Sequence, residues 1–303
     1  MDTRVKVGGL ELKNPVILAS GTAGYGVELS PFLDLSRVGG LVVKGLYPYE
    51  RMGNPPPRVW ETPCGLLNTI GLQGVGMKRF AQEYLPRLES YDTSIIVNAC
   101  GEEDEEYLQV VDYLQEFDRV DAFELNLSCP NVREGGRCPA MWPDWSYRIV
   151  RGARSITKKP IWAKLTPNTS ALVEVASACK EAGADAVSLV NTYLAMAVDF
   201  RTRKSRLSTL FAGLSGPAIK PLALRAVYTV ASSVDVDVVG IGGITTGEDL
   251  LEFMLVGAKA VQIGSATLRE PTAALRILEE AVSLLRQEGY NNFSEIIGRF
   301  EGV

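Results

Sequence analysis

The sequence predicts a (β/α)8 barrel. Three observations predict it: eight short apolar, β-branched runs, an amphipathic stretch after each, and a polar or glycine residue closing every run. The strand-like runs fall at 15–19, 40–44, 94–98, 122–126, 160–164, 186–190, 237–241 and 260–263. Their near-continuous apolar character suits parallel strands buried on both faces. Helical spacing of apolar residues follows at 30–37, 77–88, 104–117, 144–156, 170–182, 218–231, 246–256 and 272–287. Repeats of this kind over about 250 residues or a little more fit a closed barrel better than an open doubly wound sheet. No linker interrupts the series, so residues 1–303 read as one domain.

Ahead of the first barrel strand, Val5-Lys6-Val7-Gly8-Gly9-Leu10-Glu11-Leu12 reads as a hairpin turning at the glycine pair, placed to plug the barrel bottom. The run Glu102-Glu103-Asp104-Glu105-Glu106 reads as the solvated start of a helix, where negative charge meets the positive end of the helix dipole. Two long insertions, 45–76 and 192–217, follow the second and sixth strands, where top-face loops form and carry function. The first is stiffened by Asn54-Pro55-Pro56-Pro57-Arg58; the second is basic, with Arg201, Arg203, Lys204 and Arg206, and is expected to be mobile.

Composition narrows the function classes. The chain is 46% hydrophobic and 22% charged, as in a globular protein. A net charge of −5 argues against general affinity for nucleic acid or anionic membrane. No apolar run has the length of a membrane span, and the first residues lack the apolar core of a signal peptide, so a cytoplasmic location is expected. Five cysteines without a Cys-x-x-Cys pair, and no histidine, leave no pattern for structural zinc or an iron–sulfur cluster, and no metal is expected. Without histidine, acid–base chemistry near neutral pH falls to a thiol, carboxylate or lysine with a tuned pKa.

The strand ends read Ser20-Gly21, Lys44-Gly45, Asn98, Asn126, Lys164, Asn191-Thr192, Gly242-Gly243 and Gly264-Ser265. Polar strand ends occur simply because chains leave the core there, yet eight in a row, with two lysines and three asparagines, indicate convergence on a polar ligand. Gly240-Ile241-Gly242-Gly243 is not a dinucleotide fingerprint. With Gly264-Ser265 beside it, it suits a phosphate cradle of backbone amides and a helix amino terminus. Phe123-Glu124-Leu125-Asn126-Leu127-Ser128-Cys129-Pro130-Asn131 delivers an amide, a hydroxyl and a thiol into one turn, making Cys129 the candidate base. Cys64, Cys100 and Cys179 read as small buried hydrophobes, and Cys138 as a loop residue that packs.

Several motifs occur in order: Asn54-Pro55-Pro56-Pro57-Arg58, Glu61-Thr62-Pro63, Leu67-Asn68-Thr69-Ile70-Gly71-Leu72-Gln73, Asn126-Leu127-Ser128-Cys129-Pro130-Asn131, Ala163-Lys164-Leu165-Thr166-Pro167-Asn168 and Gly213-Leu214-Ser215-Gly216-Pro217. Through them the chain resembles the class 1B dihydroorotate dehydrogenase catalytic subunits over nearly its whole length. The resemblance implies FMN held by Ser20, Lys44, Gly45, Asn98, Asn126, Lys164, Val190, Gly216, Gly242, Gly243, Gly264 and Ser265. It implies dihydroorotate or orotate contacts from Lys44, Asn68, Thr69, Ile70, Gly71, Leu72, Asn126, Asn191 and Thr192, with Cys129 as base. It also implies electron transfer to NAD through an FAD- and [2Fe–2S]-containing subunit docked on a homodimer of this chain, together a heterotetramer.

The sequence departs from that pattern in three places. Arg137-Cys138-Pro139-Ala140-Met141-Trp142-Pro143-Asp144-Trp145 replaces a small, glycine-containing stretch, and Ala195 and Ala212 stand where glycine is expected. Three rival readings are a dihydropyrimidine-type reductase, which differs in its substrate loops, an RNA-acting dihydrouridine synthase-like barrel, for which no basic surface or appendage is visible, and a non-catalytic phosphate-binding barrel, which leaves Cys129 without a role.

Overall fold

The structure is a computed structural model that describes residues 1–128 and 138–302. Eight parallel strands close into a barrel, numbered here one to eight in chain order: Val16–Leu18, Gly40–Val42, Ser94–Ala99, Ala122–Asn126, Ile161–Lys164, Ala186–Leu189, Asp237–Ile241 and Ala260–Ile263. Strand eight pairs back onto strand one, Val261 opposite Val16, so closure leaves no exposed edge. Val16, Ile17, Leu41, Ile96, Phe123, Trp162, Val187 and Val261 are all fully buried or nearly so, which accounts for the unbroken apolar runs.

The helices follow the expected order with three differences, one of them an added short helix, Ala266–Arg269, after strand eight. At 30–37 the chain forms successive turns and then a short 3₁₀ segment, Leu35–Arg37, instead of a continuous helix. The Asp34 carboxylate accepts the Ser36 N–H and starts a new turn there, the competition that makes aspartate a helix starter rather than an interior residue. Between strands two and three the helix runs as α (Gly76–Arg79), π (Phe80–Tyr84) and 3₁₀ (Leu85–Leu88), the last turn holding Pro86, which has no N–H to continue an α pattern. The acidic run opens the helix Asp104–Gln115, with Asp104, Glu105 and Glu106 in its first turn.

The hairpin Val5–Val7 and Leu10–Leu12 covers the barrel bottom. Trp162 Nε1 donates to the Gly8 carbonyl at 2.9 Å, and the Gly8 N–H donates to Asp237 at the start of strand seven at 2.8 Å. Gly8 has a φ of +51°, and a Cβ there would lie 2.3 Å from Trp162 Nε1, so this contact requires glycine.

The two insertions meet over the top. Val59–Thr62 and Gly65–Asn68 from the first pair with Ala212–Ser215 and Tyr193–Ala195 from the second in one antiparallel sheet. Leu67, Leu207 and Ala212 form a small core beneath it, separate from the main one, with Ala195, Ala197 and Leu214 packed against them. Val198–Asp199 and Lys204–Ser205 add a second antiparallel pair, so the basic insertion is built of paired strands where the sequence suggests an open loop.

Candidate active site

A cavity of about 450 Å³ opens above the barrel, under the inserted sheet. Its wall includes a residue from the top end of every barrel strand: Ser20, Lys44, Asn98, Asn126, Lys164, Val190, Gly242 and Gly264 among them. Every residue assigned to FMN from the sequence lies on this wall, as do Asn68, Ile70, Gly71, Leu72, Asn191 and Thr192 from the substrate set. Thr69 is not on it. Thr69 is fully buried, and its hydroxyl bonds Asn54 Nδ2 and Thr209 Oγ1, both at 2.9 Å, so its side chain ties the two insertions together behind the wall. Cys129 lies outside the described residues. Its neighbour Ser128 is buried, with its hydroxyl donating to Asn126 Oδ1 at 2.9 Å.

The polar groups are held by strand geometry. Parallel registry sets Asn126 beside Lys164 and Asn98 beside Glu124, and the Lys164 ammonium lies 3.6 Å from the Glu124 carboxylate. Lys44 is half-buried, and among the described residues no ion pair or hydrogen bond holds its Nζ. Burial pulls its pKa below the usual lysine value; Glu28 opposes that and Arg58 adds to it. An anion in the cavity would restore the ammonium's balance.

Strands seven and eight end in the glycine pairs. Gly243 has a φ of +77°, and a Cβ there would sit 2.9 Å from the Gly216 carbonyl and 2.8 Å from the Lys220 backbone nitrogen. Bare backbone therefore lines this corner. The helix after strand seven, Gly247–Leu255, does not contribute its amino terminus: Asp249 accepts the N–H groups of Thr245 and Thr246 and pairs with Lys220 at 2.6 Å. A phosphate here would meet the glycine strand ends and Ser265, at the N-cap of the short helix Ala266–Arg269, rather than the helix after strand seven.

Among the wall residues that the sequence did not single out as ligands, four polar ones stand out. Arg58 and Gln73, bonded to each other at 2.9 Å, close one side, and Ser215 lies beside Gly216. Gln262 is buried in strand eight; its Nε2 donates to Glu124, while its Oε1 has no hydrogen-bond partner among the described residues. A polar residue inside the apolar run Ala260-Val261-Gln262-Ile263 was the available clue. Buried acceptors without partners are costly, so Gln262 suits a wall that meets a polar ligand. Glycine corner, two lysines, amide-rich floor and apolar Ile219, Ile241, Ile244 and Leu268 together fit a phosphate-bearing aromatic cofactor such as FMN.

Cysteine placement departs from expectation once. Cys100 and Cys179 are buried, and burial pushes the Cys179 thiol up to about 12, but Cys64 is exposed, at the turn between two strands of the inserted sheet. Cys138 is buried. In the unusual stretch that follows, Pro143 starts the helix Pro143–Ile156, and Trp145 Nε1 donates to Asp104 at 2.5 Å.

The family model for dihydroorotate dehydrogenase matches residues 3–285. The chain belongs to the dihydroorotate dehydrogenase family. It is 48% identical over 297 residues to the dihydroorotate dehydrogenase B (NAD(+)) catalytic subunit of Thermodesulfovibrio yellowstonii, covering 98% of each chain. It is 43% identical over 300 residues to the protein of the same name from Bacteroides thetaiotaomicron, covering 99% of each. A crystal structure of the Eimeria tenella dihydroorotate dehydrogenase superposes with a TM-score of 0.81 at 22% identity, over 98% of this chain and 88% of that one, which shows the shared barrel. For a dihydroorotate dehydrogenase family member, the arrangement of lysines and asparagines at one barrel mouth has a direct chemical reading. No helix among the described residues is long and apolar enough to cross a membrane.

Proposed function

We propose that this chain is the FMN-binding catalytic subunit of a class B dihydroorotate dehydrogenase, oxidising dihydroorotate to orotate in pyrimidine synthesis in the cytoplasm. The convergence of every sequence-assigned FMN residue on one cavity carries the reading. Residues 1–303 act as one FMN-binding unit.

Gly216, Gly242, Gly243, Gly264 and Ser265 hold the phosphate end, and Ser20, Lys44, Gly45, Asn98, Asn126, Lys164 and Val190 hold the rest of the cofactor. Bound FMN supplies the hydride acceptor. Lys44 and Lys164 favour negative charge where it builds up during reduction. Asn68, Asn126, Asn191 and Thr192 orient the pyrimidine, since amides both donate to a carboxylate and accept from ring N–H groups. Ile70, Gly71 and Leu72 close the wall, with Thr69 fastening that segment from behind. Cys129 takes the proton alpha to the ring carbonyl. Electrons then leave through an FAD- and [2Fe–2S]-containing partner to NAD, the chain forming the homodimer core of a heterotetramer.

The test is anaerobic. Adding dihydroorotate to the purified, FMN-loaded protein should bleach the flavin absorbance; retention of the oxidised spectrum, with dihydropyrimidines bleaching it instead, would move the reading to the dihydropyrimidine-type reductases.

A further inference from the structure

Glu124 has no solvent exposure and stands inside the barrel, where apolar side chains from alternate strands usually fill each layer. Strands four, six and eight instead supply Glu124, Ser188 and Gln262. The carboxylate accepts from Ser188 Oγ at 2.8 Å, Gln262 Nε2 at 2.5 Å and Asn98 Nδ2 at 2.7 Å, with Lys164 Nζ at 3.6 Å.

An amide side chain has nearly the same shape either way round, so its partners decide which end faces where. An ionised carboxylate only accepts. Asn98 therefore turns Nδ2 toward Glu124 and leaves Oδ1 to accept from the Cys100 thiol at 3.3 Å and Asn126 Nδ2 at 3.2 Å. Asn126 then presents Oδ1 to the Ser128 hydroxyl at 2.9 Å. Ser128, its proton committed, accepts from Asn191 Nδ2 at 2.8 Å. Asn191 Oδ1 accepts the Thr192 N–H at 2.8 Å. The chain of bonds thus runs from Asn191 to Glu124 in a single sense.

We propose that Glu124 is a positioning residue that fixes the donor–acceptor sense of the Asn98–Asn126–Ser128–Asn191 chain, and through it the face that Asn191, at the far end, offers to an anionic pyrimidine. This rests on the reading of the cavity as a dihydroorotate site. Glu124 itself is not on the cavity wall. Replacing it with glutamine keeps the volume but adds a donor, which allows the chain to reverse.

The experiment is calorimetric titration of orotate into FMN-loaded wild type, Glu124→Gln, Asn191→Ala and the double variant. Glu124→Gln should weaken orotate binding by about tenfold, the cost of one misdirected hydrogen bond. In the Asn191→Ala background the same change should cost less than about twofold, because the link it acts through is gone. Glu124 and Asn191 share no bond, and loosening of the core alone would make the two losses additive within about that margin. Ser128→Ala, which cuts the chain in the middle, should abolish the Glu124→Gln effect in the same way. If Glu124→Gln yields no soluble protein, Asn98→Ala removes the first link and takes its place in the cycle. Additive losses, or wild-type affinity in Glu124→Gln, would overturn the inference while leaving the dihydroorotate reading standing. Failure of the wild type to bind orotate would overturn both.

Discussion

Ala195 and Ala212 face each other as register partners in the sheet that roofs the cavity, one from each side of the second insertion. Both stand where the family resemblance leads one to expect glycine. Ala212 is buried against Leu67 and Leu207, and Ala195 packs on the same cluster, so the two methyl groups enlarge a small core and remove backbone freedom at the same time. Replacing either with glycine should cost about 0.5–1 kcal/mol locally. Hydrogen exchange should show faster opening at Leu214 and Leu67 while the barrel strands keep their protection; unchanged exchange in the sheet would mean that the pair adds nothing.

The glycine corner makes a sharper test of cofactor binding. Gly243→Ala places a methyl group within 3 Å of the Gly216 carbonyl and of Lys220 at a φ that side chains rarely adopt. The variant should fold, since the strain is local, but lose most FMN in purification. Heat release and mass analysis of the chromophore check this: wild type should yield one FMN per chain, the variant much less, and full retention would place the phosphate elsewhere.

Lys44 sets a pH dependence. Burial holds its pKa below the usual 10.5, so in the ligand-free protein the unfolded chain binds more protons between the lowered value and 10.5, and stability rises with pH across that window. An anionic ligand reverses the balance by favouring the ammonium. Orotate affinity should therefore be complete below the ligand-free pKa and fall, by at most about tenfold per pH unit, as pH rises through it. Lys44→Met should bind orotate more weakly and with a flatter pH profile. A profile equally steep in Lys44→Met would assign the titration to another group.

The barrel and its polar mouth were legible in the sequence because burial on both faces forces long apolar runs, and because Asn98, Asn126 and Lys164 interrupt those runs where strands end. The roof was not. Pairing of Leu67 with Leu214 joins residues far apart in the chain, and two long insertions rich in proline, serine and arginine carry no alternation that announces it. Local turn chemistry at Asp34 likewise overrode the apolar spacing of 30–37. Glu124 and Gln262 were visible as polar residues inside apolar strands, but their partnership spans the barrel between strands four and eight, and only closure of the sheet brings them together.

Cys129 follows the buried Ser128 and is the base in the proposed reaction. Cys129→Ala should slow flavin reduction by dihydroorotate about 10²–10⁴-fold, the usual contribution of a general base, while FMN content and orotate affinity stay near wild type. Cys129→Ser should also be slow, since a hydroxyl is a far weaker base. Stopped-flow bleaching of the flavin measures it directly; a wild-type rate in Cys129→Ala would remove the residue from the mechanism.

Electron exit gives the last prediction. The sequence has no dinucleotide fingerprint and no Cys-x-x-Cys pair, and among the described residues no group of three or more cysteine and carboxylate side chains is arranged to hold a metal. Its relatives nevertheless carry NAD(+) in their names as class B catalytic subunits. The two observations are reconciled if a second protein accepts electrons from the barrel mouth and passes them on. The purified chain should then reduce artificial dyes with dihydroorotate but form NADH negligibly, and adding an FAD- and [2Fe–2S]-containing partner should raise NADH formation by orders of magnitude. Steady-state NADH production with and without that partner decides the matter. Brisk NAD reduction by this chain alone would defeat the prediction and require a nicotinamide site in the same cavity.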